Sequence, residues 1–453
     1  MVFESSWYEY QHSNMPKYVR LYFCIRREIE RGNMEPGCKL PSIRQVSKEL
    51  GLSSTTVENA YNQLLVEGYI YSIPQKGYYA ACLDTGLLTA RSTMPEQQNI
   101  RDGITAGSNF TDTSLFPFTQ WRKAYQKVLE NVPHILLNEG DPQGEYELRR
   151  ALADYVYQAR GIRCSPGQIV IGSGVQTLLH IFCDIADGLF KPKVAFEEPG
   201  FTDVRPVFHK RGYSLYPALL GEQGLPVESL FDTEATVCYT SPSHQYPTGL
   251  VMPVQKRLEL LKWADQVRGY ILEDDYDSEL RFEGRPVPSL YSLDNNRRVV
   301  YIGSFSTLLA PSIRISYMIL PEELQLIYRN MCHEYRSTVS TAEQLTLSSF
   351  IRDGMLGRHL RKMRKKCSIR MKAFIEAASQ YREYIKVYPA DTGIFTLIEA
   401  ASKTVFDTVF KNGIRMGLGL RHVWNNFFTF RYASIPEEKF ALLLKELIGE
   451  YKF

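Results

Sequence analysis

With 453 residues, 44% of them hydrophobic and 23% charged, the chain is long enough for two or three domains and a large core. Its 53 Lys and Arg against 50 Asp and Glu leave a net charge of +3, which by itself points to no class of partner. No apolar stretch approaches the roughly 20 residues of a membrane span, no basic segment precedes an apolar run at the start, and the eight scattered cysteines form no Cys-x-x-Cys. These features argue against a membrane protein, a secreted disulfide framework and a zinc site, and for a cytoplasmic protein with reduced thiols.

Tyr18, Leu21, Tyr22, Ile25 and Ile29 recur at helical spacing, which predicts an amphipathic helix over about 15–31. Gly32 ends it and Pro36-Gly37 turns the chain. Ser42 with Gln45 three residues on reads as a capping box, so a short helix starts there and runs to about Leu50. Gly51-Leu52-Ser53 is a tight turn. A third helix carries Val57, Ala60, Tyr61, Leu64 and Leu65 on one face, with Thr55 and Glu58 as a second capping box and Gly68 at its end. Tyr69–Ile73 and Tyr78–Ala80 read as two strands around Pro74-Gln75-Lys76-Gly77, a hairpin wing. Two short helices joined by a tight turn and followed by a hairpin make a winged helix-turn-helix.

The residues in this stretch resemble the GntR family of DNA-binding domains. Gly37-x-x-Leu40-Pro41-Ser42-x-Arg44, Leu50-Gly51-Leu52-Ser53, Thr56-Val57, Ala60-Tyr61 and Leu64-x-x-Glu67-Gly68 carry that resemblance, which spans 12–81. It implies that the helix over 54–66 lies in the major groove of double-stranded operator DNA. Ser54, Thr55, Thr56, Glu58 and Asn59 would then face bases or nearby phosphates, and Arg44, Lys48 and Lys76 the backbone. Nine Lys/Arg against eight Asp/Glu over 1–81 show that charge alone does not carry this reading.

Residues 82–103 lack periodicity and read as a linker after a first domain of 1–81. From 104 to 453 helical and strand patterns alternate, the signature of an α/β domain. Short apolar runs at Tyr270–Leu272, Val299–Ile302 and Ile315–Leu320 suit buried parallel strands, and polar residues past such strand ends are where open α/β sheets hold ligands. Gly172-Ser173-Gly174-Val175-Gln176 is a glycine turn that opens a helix. It suits a phosphate, and equally a plain strand-to-helix turn.

This part of the chain resembles the fold-type I aminotransferases, which use pyridoxal 5'-phosphate (PLP). Asp274 stands where that family pairs an Asp with the pyridinium nitrogen, and Tyr276 where a Tyr meets the phenolic oxygen. Ser304 and Arg314 stand where the phosphate is bound, with Gly174, Val175 and Gln176 beside it. Phe201, in Glu197-Glu198-Pro199-Gly200-Phe201, matches the residue that stacks on the ring, and Arg431 the one that binds a substrate carboxylate. Gly140-Asp141-Pro142-Gln143-Gly144 with Leu148-Arg149 matches a further segment, and Ser241–Gly249 the family's Asn-Pro-Thr-Gly loop, with His244 expected to hold backbone. Thr307 occupies the position of the lysine that binds PLP covalently, and a hydroxyl forms no imine. The basic stretch over 356–374 is expected to be one helix with a solvated charged face.

The two modules in this order resemble the MocR/GabR type of bacterial transcription regulator. That resemblance implies a head-to-tail, domain-swapped homodimer, with PLP and an amino acid or amine effector, bound as an external aldimine in some members, shifting its conformation. Thr307 leaves PLP to bind noncovalently or as a preformed aldimine, with no catalytic residue and no turnover. The alternatives are an active aminotransferase with an appended DNA-binding domain, and a regulator whose cofactor pocket is a relic.

Overall fold

The computed structural model of the protein describes residues 15–82, 112–189, 193–282, 287–389 and 391–449, together with Trp7. Most of the expected linker lies outside the described residues. The chain divides into two units, Met1–Gly103 and Ile104–Phe453.

The first unit contains α1 (Lys17–Glu30), α2 (Ile43–Leu50), α3 (Ser54–Val66) and a hairpin of β1 (Ile70–Ile73) and β2 (Gly77–Ala80). Leu21, Ile25 and Ile29 of α1 meet Val46 of α2 and Val57, Tyr61 and Leu64 of α3 in one core. Tyr18, expected on that face, is 40% exposed. Ser42 caps α2 by accepting from the Gln45 amide at 3.2 Å, but the Gln45 side chain turns to Glu49 instead of completing the box. The cap of α3 is Ser53, not Thr55. Its hydroxyl accepts from the Thr56 amide at 3.1 Å. Four hydroxyl residues stand in a row there, and the left-handed turn at Gly51 (φ 63°) sets which of them meets the first free amides. The amides of Gly37 and Leu40 bond to the Ala80 and Tyr78 carbonyls, so the strand before α2 ties itself to the wing.

The second unit is built on a seven-stranded sheet in the order β3 (Ile169–Gly172), β9 (Ser316–Ile319), β8 (Val299–Ser304), β7 (Tyr270–Asp275), β6 (Val237–Thr240), β4 (Lys193–Glu198), β5 (Ser214–Leu219). All pairs from β8 to β5 are parallel. Strand β9 corrects the expectation of three parallel runs, because it is antiparallel to both β3 and β8. Only Phe305–Ile315 separates β8 from β9, with one short helix, Phe305–Leu308, inside it. That is too little chain for a parallel crossover, which needs about a dozen or more residues. Since β9 opposes both neighbours, β3 runs the same way as β8. The carboxyl ends of β3, β4, β6, β7 and β8 therefore share one edge.

A second, four-stranded antiparallel sheet has the order β10 (Ile385–Tyr388), β11 (Thr396–Ala400), β13 (Phe427–Phe430), β12 (Leu420–Trp424). It packs with the helix α5 (Met355–Ala378) in a core that holds Met363, Cys367, Phe374, Phe428 and Phe430. The basic stretch lies on this helix, but its face is not uniformly solvated. Arg370 falls on the buried stripe, three residues after Cys367, and reaches the Asp112 carboxylate, Glu437 and the Ala433 carbonyl. Lys366 joins Asp112 at 3.2 Å, while Arg358, Arg361, Lys362, Lys365 and Lys372 remain exposed. No helix among the described residues is long and apolar enough to cross a membrane.

Candidate cofactor cavity and nucleic-acid face

Side chains on a strand alternate between faces, and Glu273-Asp274-Asp275 at the end of β7 uses that period. Glu273 and Asp275 point one way. Glu273 accepts the amides of Leu290 and Tyr291 at 2.7 and 2.8 Å, and Asp275 lies 2.7 Å from buried Arg160 and accepts from the Tyr301 hydroxyl. Asp274 points the other way, into a cavity of about 390 Å³. The Tyr239 hydroxyl donates to its Oδ2. Burial, against the opposing help of that bond and reinforced by nearby Asp275, Asp277 and Glu197, pushes its carboxyl up to about 7.

Glycine and serine turns at the strand ends close the rest of the wall. Gly174, at φ 112° and ψ 164°, precedes α4 (Val175–Ala186) and turns that helix's amino end toward the cavity. A Cβ at Gly174 would fall 3.0 Å from the Arg314 Cζ, so the glycine makes the space that Arg314 occupies. Arg314 itself, at φ 52°, donates to the Ser173 carbonyl at 3.3 Å. Ser304 ends β8, and its hydroxyl accepts from Ser316 at 3.0 Å. Amides, two hydroxyls and a guanidinium thus gather at one end, a donor set suited to a phosphate.

The structure brings Gly174, Val175, Phe201, Asp274, Tyr276, Ser304, Thr307, Arg314 and Arg431 to this one cavity. Gln176 does not reach it. Its side chain donates to the Asp203 carbonyl at 2.7 Å on the exposed side of α4. Arg431 lies just past the end of β13 rather than within the strand. Among the described residues no lysine lines the cavity.

Sequence reasoning missed Tyr239, Tyr246, Arg421 and Thr429. Tyr246 falls within the Ser241–Gly249 loop, and Tyr239 and Thr429 lie two residues before Ser241 and Arg431, but no local pattern marks any of the four as facing the cavity. The Arg421 guanidinium sits 5.4 Å from the Phe201 ring centroid and ion-pairs with Asp203. Tyr246 meets Phe201 edge-on at 6.0 Å and shares a hydrogen bond with Thr429. His244 also departs from expectation, because its partners are side chains. Its Nδ1 lies 2.8 Å from Asp277 Oδ1 and 3.0 Å from the Tyr276 hydroxyl. All three groups are largely buried, and Gly393 leaves them room, since a Cβ there would meet His244 Cε1 at 2.9 Å. The pair with Asp277 orients the Tyr276 hydroxyl at the cavity wall.

The segment Gly140–Gly144 with Arg149 is structural. Arg149 joins Asp141 at 2.8 Å and bonds the Gly144 and Pro166 carbonyls. Among the described residues no group of three or more His, Cys, Asp or Glu side chains could hold a metal ion.

In the first unit, Ser54, Thr55, Glu58 and Asn59 are exposed along the start of α3, and Arg44 and Lys48 are exposed on α2. Thr56 is half-buried and its hydroxyl meets Ser53 at 2.7 Å, so it serves the cap. Lys76 is exposed at the wing tip beside Gln75, which is left-handed at φ 61°.

Comparison with known proteins follows the same division. The family "Bacterial regulatory proteins, gntR family" matches residues 17–79, and "Aminotransferase class I and II" matches residues 103–417. The chain is 36% identical over 415 residues to an HTH-type transcriptional regulator, YdeL, of Bacillus subtilis, covering 89% of each chain. It is 29% identical to the probable rhizopine catabolism regulatory protein MocR of Rhizobium meliloti, covering 84% of this chain and 81% of that one. The pyridoxine biosynthesis transcriptional regulator PdxR of Corynebacterium glutamicum is 27% identical, with 93% of each chain covered. Among solved structures, the α-aminoadipate aminotransferase LysN of Thermus thermophilus, complexed with N-(5'-phosphopyridoxyl)-L-leucine, superposes with a TM-score of 0.66 at 21% identity. That match covers 77% of this chain and 93% of that one, and it shows a shared fold.

Proposed function

The chain belongs to the HTH-type transcriptional regulators of the MocR type, which join a gntR-family DNA-binding module to an aminotransferase class I and II unit, and from that membership we propose that the large unit senses PLP without turning a substrate over. The observation that carries this reading is the cavity at the strand ends. Its lining joins a buried acid, a phosphate-suited donor set and Thr307, with no lysine among the described residues.

The residues fit the cofactor. Asp274 is a buried acid held near neutrality until a cation meets it, which a protonated ring nitrogen would supply. Gly174 leaves the place in which Arg314 and the amino end of α4 would hold the phosphate. Tyr276, oriented by His244, would donate to the ring's phenolic oxygen, and Phe201 would lie against the ring face. When bound, PLP supplies an aldehyde that condenses with amines and a ring that withdraws electrons. Thr307 forms no covalent link to that aldehyde and offers no amine to move a proton, so binding is noncovalent and no turnover follows. Arg431 would hold the carboxylate of an amino acid presented with the cofactor. The name of the relative PdxR, a pyridoxine biosynthesis regulator, supports the same ligand class.

Occupancy then shifts the equilibrium between conformations that differ in affinity for operator DNA. The DNA-binding residues we assign are Arg44, Lys48, Ser54, Thr55, Asn59 and Lys76. The acting form is a cytoplasmic, head-to-tail, domain-swapped homodimer on paired half-sites, with domains of 1–81 and 104–453 joined through 82–103.

The test is a PLP titration followed by absorbance, beside Thr307→Lys. The wild-type chain should saturate without a new covalent chromophore, and Thr307→Lys should gain a band above about 400 nm. Conversion of an amino acid to its keto acid by the wild-type chain would refute the sensor reading. Absence of PLP binding by both forms would refute the cofactor assignment.

A further inference from the structure

A second cavity, of about 480 Å³, meets the first at Thr307, Gly419 and Arg431, which line both. Its other walls are mostly apolar, with Leu115, Phe116, Phe118, Met363, Ile394 and Leu418 among them beside the polar Asp112, Thr113 and Ser434. Among the described residues the one acid on its lining, Asp112, is already held by Arg370 and Lys366. At the junction Gly419 leaves space beside Arg431, since a Cβ there would press against the Arg431 Cβ at 3.1 Å. A threonine at 307 leaves the passage open where a lysine would run its methylenes and amine. Among the described residues no carboxylate pairs with the Arg431 guanidinium, which is mostly buried at this crossing.

An anion-binding group at the junction of a polar cavity and an apolar one defines a divided ligand. We propose that the apolar chamber receives the effector's side chain, and that the effector is an α-amino acid with a large apolar side chain whose carboxylate meets Arg431. This rests on the PLP-sensor reading above and specifies its second ligand. An acidic side chain would enter a mostly apolar chamber, and the cations behind its wall, Lys366 and Arg370, are already paired with Asp112. A small side chain would leave the chamber unfilled.

The test uses the full-length chain and stable reduced conjugates of PLP with leucine, phenylalanine, alanine and aspartate, in which a secondary amine joins the two parts. Burying a leucine-sized side chain predicts that the leucine and phenylalanine conjugates bind at least about tenfold tighter than the alanine conjugate, with aspartate weakest. Phe116→Ser and Leu418→Ser should each reduce the leucine-over-alanine preference while PLP alone binds within about twofold of wild type. Equal affinities for all four conjugates, with PLP binding intact, would overturn the apolar-effector assignment and leave the sensor reading standing. If neither PLP nor any conjugate binds, the sensor reading falls and this inference falls with it. The comparison among conjugates is made on the wild-type chain, so it stands even where a variant fails to fold.

Discussion

Asp274→Asn separates an acid kept for a ligand from an acid that holds the fold. Asp274 is 7% exposed and its carboxyl is pushed up to about 7, from an ordinary value of 3.8. Its folded state therefore binds the proton more tightly than its unfolded state does. The sign follows directly: wild-type stability contributed by this group falls as pH rises from about 4 to about 7, by roughly 1.4 kcal/mol per pH unit, and is flat above. The full shift bounds the loss at about 4 kcal/mol. Asparagine keeps an acceptor for the Tyr239 hydroxyl and removes the charge near Asp275, Asp277 and Glu197. The ligand-free variant should thus be more stable than wild type at pH 8, by at least about 1 kcal/mol, or a rise in Tm of about 2 °C or more. The gain should shrink as pH is lowered from 7 to 5.5. The same variant should bind PLP roughly 10- to 100-fold more weakly, because a charge-assisted hydrogen bond contributes about 1.5–3 kcal/mol. Thermal melts across pH and a PLP titration read both effects. A lower Tm for Asp274→Asn at pH 8 would show that the carboxylate already has its partner within the fold, and the reasoning would fail.

Gly174→Ala should weaken PLP binding by at least about tenfold and cost about 1–3 kcal/mol, since its backbone conformation is open almost only to glycine and the added carbon meets Arg314; titration and denaturant unfolding check it. Arg160→Leu leaves Asp275 buried without its cation and should lower stability by about 3–5 kcal/mol, of which adding Asp275→Asn should restore a measurable part in the same unfolding experiment. On operator DNA, Arg44→Ala and Lys48→Ala should weaken binding evenly across sequences and each lower the salt slope by about 1, whereas Thr55→Ala and Asn59→Ala should relax sequence preference, as competition binding at several salt concentrations would read.

Much of the fold and site was legible because local chemistry decides it. The spacing of Leu21, Ile25 and Ile29 gives α1 its buried face, and Gly51 must turn left-handed between α2 and α3. Asp274 is singled out by the aminotransferase resemblance, and the strand period accounts for Glu273 and Asp275 on the opposite face serving the fold. What the sequence hid has physical causes too. Arg370 sits on the buried stripe of α5, and a reading based on apolar periodicity passes over a charged residue there. Tyr239 reaches Asp274 across 35 positions, and Arg421 reaches Asp203 across 218, so only the sheet order and the second sheet bring them together. The side-chain partners of His244, Tyr276 and Asp277, follow a different strand, so the loop's sequence points only to backbone for that ring.

A phosphate-suited cavity and a threonine at position 307 have different energetic consequences. On the sensor reading, turnover would need an amine at position 307, whereas affinity would rest on Asp274, the Gly174–Arg314 cradle and Arg431, none of which needs that amine. A regulator requires only that one conformation bind the ligand better than another, and a tenfold preference moves that equilibrium by a factor of ten at most. A nearly complete switch, from 1:99 to 99:1, needs about 10⁴-fold discrimination between the conformations, so a chamber that contributes about tenfold would not drive it alone. The ring and phosphate contacts must differ between the conformations as well. On the proposed reading the chamber makes that larger change depend on which amino acid arrives with the cofactor, with specificity at the Thr307 junction and most of the switching energy at the strand ends.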